Sequence, residues 1–171
     1  PRGRRGSRRV AGQAAGATPG QGVGGLWALG DQDTSQKVRE AQKAAGQATV
    51  AWRETDAGVT RVGAGGVAQV DTHGFVATAF EHRDSRTGDP NLHTHVAVST
   101  KVQGLDGKWR SLDGRVLHAL GVAASERYNT LVEHEVRNRL GVTFVDETRG
   151  RNKRSVREIA GIVPGLGNTC A

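Results

Sequence analysis

Apolar positions change their spacing along this chain, and the changes divide it into elements. Thr34 or Ser35 can cap a helix, and from there Val38, Ala41, Ala45, Ala48 and Trp52 recur every three or four residues. That spacing lines one helical face and predicts a helix to about Glu54, weakened modestly by Gly46. The texture then shifts to short strands. Gly58–Val62 and Val67–Val70 flank a Gly-Ala-Gly-Gly loop and read as a hairpin. Phe75 to His82 is a third strand, Leu92 to Val102 an alternating fourth, and the stretch from Arg83 to Asn91 between them is rich in turn residues. Gly104–Gly107 makes the next turn and leads into Lys108-Trp109-Arg110.

Asp113-Gly114 opens a second long helix, to about Leu140, with a stripe of Leu120, Ala124, Tyr128, Leu131, Val132 and Val136. Gly141 stands where a C-terminal glycine ends a helix, and Val142–Val145 reads as a last short strand. Residues 1–25 show neither period and are expected to be disordered; residues 164–171 lack pattern too. Two long helices with an antiparallel sheet give an α+β fold.

Composition narrows the picture. The 171 residues suffice for one domain with one core. With 25 glycines and only seven aromatic residues, that core rests on Ala, Val and Leu and has little margin. No run of 18 apolar residues occurs, so no transmembrane helix is expected, and no signal peptide opens the chain. The single cysteine, Cys170, excludes an internal disulfide and a multi-cysteine zinc site. A cytoplasmic protein is the expectation. The composition leans to Ala, Gly, Arg and Val, which suggests a GC-rich bacterial source.

The net charge of +7 points to a phosphate-bearing partner, nucleic acid before anionic membrane. Its distribution weakens that argument. Residues 1–25 carry +5, and the cluster at 149–157 (RGRNKRSVR) carries another +5, whereas residues 26–148 sum to −2.

The chemistry sits elsewhere. His82, His93 and His95 fall within 14 residues, spaced H-x10-H-x-H. His93 and His95, two apart on a strand, point to the same face. If the flanking strands pair antiparallel across the turn-rich stretch, His82 stands beside His93, with β-carbons about 5 Å apart. Three imidazoles can then converge on one point and hold a divalent transition metal with positions left open. The alternative is three separate histidines, satisfied or solvated. In the intervening loop Asp84 or Asp89 can orient a ligand histidine through its second ring nitrogen, and Arg83 and Arg86 can reach phosphate. The competing explanation is plain turn chemistry, favoured for Asp89-Pro90.

At this point the sequence resembles a known family. The block HRDSRTGDPNLHTH at 82–95, DGKWRSLDGR at 106–115 and AASERYN at 123–129 are similar to the TrwC/TraI-like conjugative relaxases, the MobF class, from about Leu26 to Val163. The resemblance implies a His-hydrophobe-His (HUH) palm fold. It implies nicking and rejoining of single-stranded DNA at a plasmid transfer origin, where a tyrosine hydroxyl attacks the scissile phosphate. It also makes His82, His93 and His95 the ligands of a divalent metal: manganese, magnesium, zinc or nickel. The expected partner is single-stranded DNA, with the chain a monomer away from membranes.

Departures accompany the resemblance. The family's nucleophilic tyrosines lie upstream of the matching region. Its Asp-x-Thr-Phe-Ser-like strand and following Pro-x-Lys-Ser are replaced here by Ala15–Gly22. The only tyrosine, Tyr128, lies on the apolar stripe of the second helix and reads as a core residue, not a nucleophile. No catalytic residue is therefore assigned. Trp52 and Trp109 are expected in the core, His73 in a turn, and His118 and His134 on helix surfaces. Because the chain also lacks methionine, both ends are expected to be read out of frame, leaving residues 26–163 as the C-terminal portion of a relaxase domain without nicking activity of its own. The alternatives are a non-catalytic DNA- or metal-binding remnant and a free-standing three-histidine metalloenzyme. The last lacks a candidate base and an apolar substrate pocket.

Overall fold

The structure, a computed structural model, describes residues 12–86, 88–148 and 155–162. In chain order the elements are β1 (Gly12–Ala17), α1 (Gln21–Leu29), α2 (Gln32–Ala57), β2 (Val59–Val62), β3 (Ala68–Asp71), β4 (Ala77–Asp84) and β5 (Pro90–Ser99). Then follow β6 (Lys101–Gln103), β7 (Trp109–Ser111), α3 (Gly114–Ala119), α4 (Gly121–Leu140), β8 (Phe144–Glu147) and β9 (Val156–Ile159). β1, β5 and β4 form an antiparallel sheet with β5 in the middle; β2–β3, β6–β7 and β8–β9 are two-stranded. The α+β reading with two long helices holds. Among the described residues no helix is long and apolar enough to cross a membrane.

α2 starts one turn earlier than its apolar period suggests. The Asp31 carboxylate accepts the Thr34 N–H at 2.8 Å and caps the helix. Val38, Ala41, Ala45 and Thr49 form its buried face. Ala124, Tyr128, Val132 and Val136 form that of α4, which ends where Gly141 turns left-handed at φ 68°. These faces meet, and with Val23, Leu92, Phe144 and Ile159 they build the larger apolar cluster. A second cluster joins Ala57, Val96, Val98, Val102, Leu112 and Leu117. Each fully buried valine contributes roughly 1.5–3 kcal/mol.

Three expectations are corrected. Residues 12–25, expected to be disordered, lie in β1, α1 and the turn between them; residues 1–11 and 163–171 lie outside the described set. β1 needs no apolar period because it gains order by pairing with β5, Gly12 opposite Ser99 through Ala17 opposite Thr94. α1 is anchored by a tertiary contact: the Gly22 N–H donates to the buried Glu158 carboxylate at 2.8 Å. Second, the helix from Asp113 is broken at Leu120. Arg53 donates to the Leu117 carbonyl at 2.6 Å, the acceptor that a continuous helix would present to Gly121. Third, Trp109 is not core: it is 59% exposed on the outer face of β7. Trp52 is half-buried, with the Arg127 guanidinium 5.4 Å from its ring centre.

The basic cluster at 149–157 is described only from residue 155. There Arg157 pairs with Glu133 at 2.8 Å, on a strand, β9, that the sequence pattern did not suggest.

Candidate metal centre

β5 has two unlike faces. Leu92, Val96 and Val98 point into the core, so His93, His95 and Ala97 must point the other way. The buried set therefore fixes the direction of the histidines, since a one-residue slip would invert both faces.

β4 pairs with β5 as the spacing predicts. His82 stands directly opposite His93, Phe80 opposite His95 and Thr78 opposite Ala97, with a register shift after His82. The ring centres are 5.2 Å apart for His82 and His93, 5.0 Å for His82 and His95, and 4.9 Å for His93 and His95. His95 contacts both neighbours edge to face, and His82 and His93 are tilted by 31°. His82 and His95 are exposed and His93 half-buried.

This arrangement suits a metal in spacing and donor type. With nitrogen about 2 Å from the ion, three ring centres around a tetrahedral metal stand roughly 5 Å apart. One tautomer is already fixed: His93 Nδ1 lies 2.8 Å from the Asn91 carbonyl, which makes it the donor and leaves Nε2 with a free lone pair. The partner of this second nitrogen is thus a backbone carbonyl, not the Asp84 or Asp89 carboxylate. The set is clustered but not closed. Among the described residues, no group of three or more His, Cys, Asp or Glu side chains has drawn together to metal-holding geometry.

The loop residues divide by role. Asp89 closes the turn: its N–H donates to Ser85 Oγ at 3.1 Å, and its carbonyl accepts the Ser85 N–H at 2.8 Å. Asp84 is exposed at the end of β4, opposite Pro90. Arg83 and Arg86 are exposed, and Arg83 lies 3.4 Å from Glu81, which also pairs with Arg39 at 3.0 Å.

Tyr128 is 4% exposed, burial pushes its hydroxyl pKa up against a weaker pull from Gln42, and among the described residues no group meets that hydroxyl in hydrogen-bond geometry. His73 is exposed between β3 and β4, while His118 and His134 are exposed on α3 and α4.

Sequence reasoning passed over Phe80. It lies on the histidine face, two residues before His82, and is 51% exposed. The alternation of β4, carried back one step from His82, would have found it.

The family model for TrwC relaxase matches residues 2–167 and so reaches 24 residues further toward the N-terminus than the resemblance that starts at Leu26. No curated protein matches the chain. Among solved structures it is similar to the conjugative relaxase TrwC in complex with oriT DNA. The copper-bound form has a TM-score of 0.77 and 24% identity over 94% of this chain and 52% of that one. A metal-free form of that complex also gives 0.77 and 24%, over 94% of this chain and 54% of that one. A metal-bound form gives the same two values, over 95% and 53%. The shared fold is therefore the TrwC fold, and the chain spans about half the length of those relatives.

Proposed function

Since the chain belongs to the TrwC relaxase family, we propose that it is the metal-bearing part of a conjugative relaxase. Such an enzyme nicks and rejoins single-stranded DNA at a transfer origin through a tyrosine–phosphate intermediate. One observation carries this reading: three imidazoles gather on one face of the β4–β5 hairpin, opposite the side on which β5 enters the core.

His82, His93 and His95 are the proposed ligands of one divalent metal. Small rotations about their side-chain bonds would bring the nitrogens to a common point, with His93 offering Nε2. When bound, the metal supplies Lewis-acid stabilisation of charge on phosphate oxygens. The chain's own residues prepare the place. Asn91 sets the His93 tautomer, and Arg83 and Arg86 at the hairpin end attract the phosphate backbone. The attacking hydroxyl is proposed to come from outside these 171 residues, because Tyr128 is the only tyrosine and is buried.

Calorimetric titration with manganese, zinc or nickel tests the site. The native chain should bind one ion, and a His93→Ala/His95→Ala variant should lose it. Equal binding by the two proteins rules the assignment out. The native chain should also bind a single-stranded oligonucleotide in a salt-dependent manner without forming a covalent adduct; a tyrosyl–DNA species would refute the external nucleophile.

The burial of Tyr128 favours a second reading, a module that binds metal or DNA without catalysis. Coding DNA beside this chain that carries the family's tyrosine segment decides for the first reading, and its lack for the second.

A further inference from the structure

Phe80 leaves a large apolar ring half in water at the edge of the histidine cluster. An exposed aromatic ring is favourable to cover, and its surroundings restrict what can cover it. On β4 it follows Thr78 and precedes His82 on one face, and it stands directly opposite His95. Opposed β-carbons lie about 5 Å apart, and alternate residues along a strand about 7 Å apart. The strand position of Phe80 is therefore adjacent to those of two of the three histidines.

Beyond His95 the same face continues onto β1 at Gly16, opposite His95, and among the described residues nothing lies within 4 Å of where a β-carbon there would be. On the other side, every residue of β4 is exposed. Past His82 the strand turns Arg83 to the opposite face, where it pairs with Glu81, and the exposed Arg86 follows in the hairpin turn. The histidine face thus carries an aromatic residue beside three imidazoles, with one exposed cation, Arg86, in the turn beyond them.

We infer that Phe80 is a stacking platform for a base of single-stranded DNA, positioning the nucleotide whose phosphate meets the histidines. The inference rests on the relaxase reading above and adds to it a residue and a contact. A base has an apolar π-face for the ring, while its phosphate suits the imidazoles and the Arg86 cation in the turn. An apolar protein partner fits less well, because covering Phe80 would also desolvate the imidazoles without offering them polar partners. Phe80 acts as a positioning residue: it holds the base and leaves the reacting atoms to other groups.

The test is the affinity of the full chain for a fluorescein-labelled oligothymidylate at low salt, read by fluorescence anisotropy. Phe80→Ala should weaken binding about 5- to 100-fold, the range for loss of one base–aromatic stack. Phe80→Trp should restore it, and Phe80→Leu, apolar but without a π-face, should not. Calorimetric metal titration should be the same for all three, since Phe80 is no ligand. The side chain is exposed, so the variants should keep the native circular dichroism. Native affinity in Phe80→Ala overturns the inference, as does full affinity in Phe80→Leu. A change in oligomeric state with unchanged DNA affinity also overturns it, and assigns the ring to a contact between copies. If the native chain binds no oligonucleotide at all, the relaxase reading falls as well.

Discussion

Tyr128 and Asp113 show how differently two buried polar side chains behave. The Tyr128 hydroxyl is buried, and among the described residues no group stands in hydrogen-bond geometry to it. An unsatisfied buried hydroxyl costs about 1–3 kcal/mol, so Tyr128→Phe should be neutral or should raise the unfolding midpoint in urea. Oligonucleotide binding should not change; a loss would show that the hydroxyl has a role outside the core. Asp113 is fully engaged. Its carboxylate accepts Arg61 at 2.7 Å and Arg115 at 3.3 Å, with the side chain only 4% exposed. The Arg61 guanidinium, chiefly, holds its pKa below the usual carboxylate value of 3.8. A depressed folded pKa means that this stabilisation is fully present above 3.8 and is lost as pH falls through the lower folded value. Acid unfolding followed by circular dichroism should therefore occur at higher pH in Asp113→Ala, which should also lose about 1–3 kcal/mol at neutral pH. Glu81 offers a third test. It partly neutralises Arg39 and Arg83, so Glu81→Gln should tighten oligonucleotide binding roughly severalfold at low salt and less at high salt.

Among the elements, α1 depends most on tertiary context. A β-carbon on Gly22 would stand 2.9 Å from Glu158 Oε2 and 3.3 Å from the Ile159 nitrogen. Gly22→Ala should therefore loosen α1 from β9 and cost about 1–3 kcal/mol, with faster amide exchange in residues 21–29 as the local readout. The sequence GQGVGGL has no helical signature, which explains why α1 was not legible: its order comes from a carboxylate 136 residues away. β1 was illegible for a related reason, since a strand of Gly, Ala and Gln takes its register from β5. By contrast, α2, α4 and the β4–β5 hairpin could be read, because their apolar spacing is strong and locally complete. The pairing of His82 with His93 followed from a turn-rich loop between two alternating strands. Trp109 misled because a large apolar side chain is core on average, yet β7 is short and its outer face is uncovered. The break at Leu120 hid in a continuous apolar stripe, since its cause is Arg53 on another helix.

For the molecule as a whole, the organising fact is that the central strand β5 has one covered face and one open face. The clusters of α2 with α4 and of β5 with α3 place the core behind the histidines. β4 is the strand least supported by that core, being exposed along its entire length, with β5 its one strand neighbour among the described residues and the Glu81–Arg39 pair tying it to α2. Yet it supplies one of the three proposed metal ligands, while β5 supplies the other two. An ion bound by His82, His93 and His95 would act as a clasp across the hairpin, fastening the outer strand to the inner one. Occupancy of the site and order of the strand would then be a single equilibrium: at a free metal concentration 100 times the dissociation constant, closure gains about 2.7 kcal/mol. Adding manganese or zinc should slow amide exchange along 77–84 and leave α4 unaffected. Uniform slowing across the chain would mean instead that the ion stabilises the fold globally. Stripping the metal would free not only a ligand site but also the edge of the sheet, including the strand that presents Phe80.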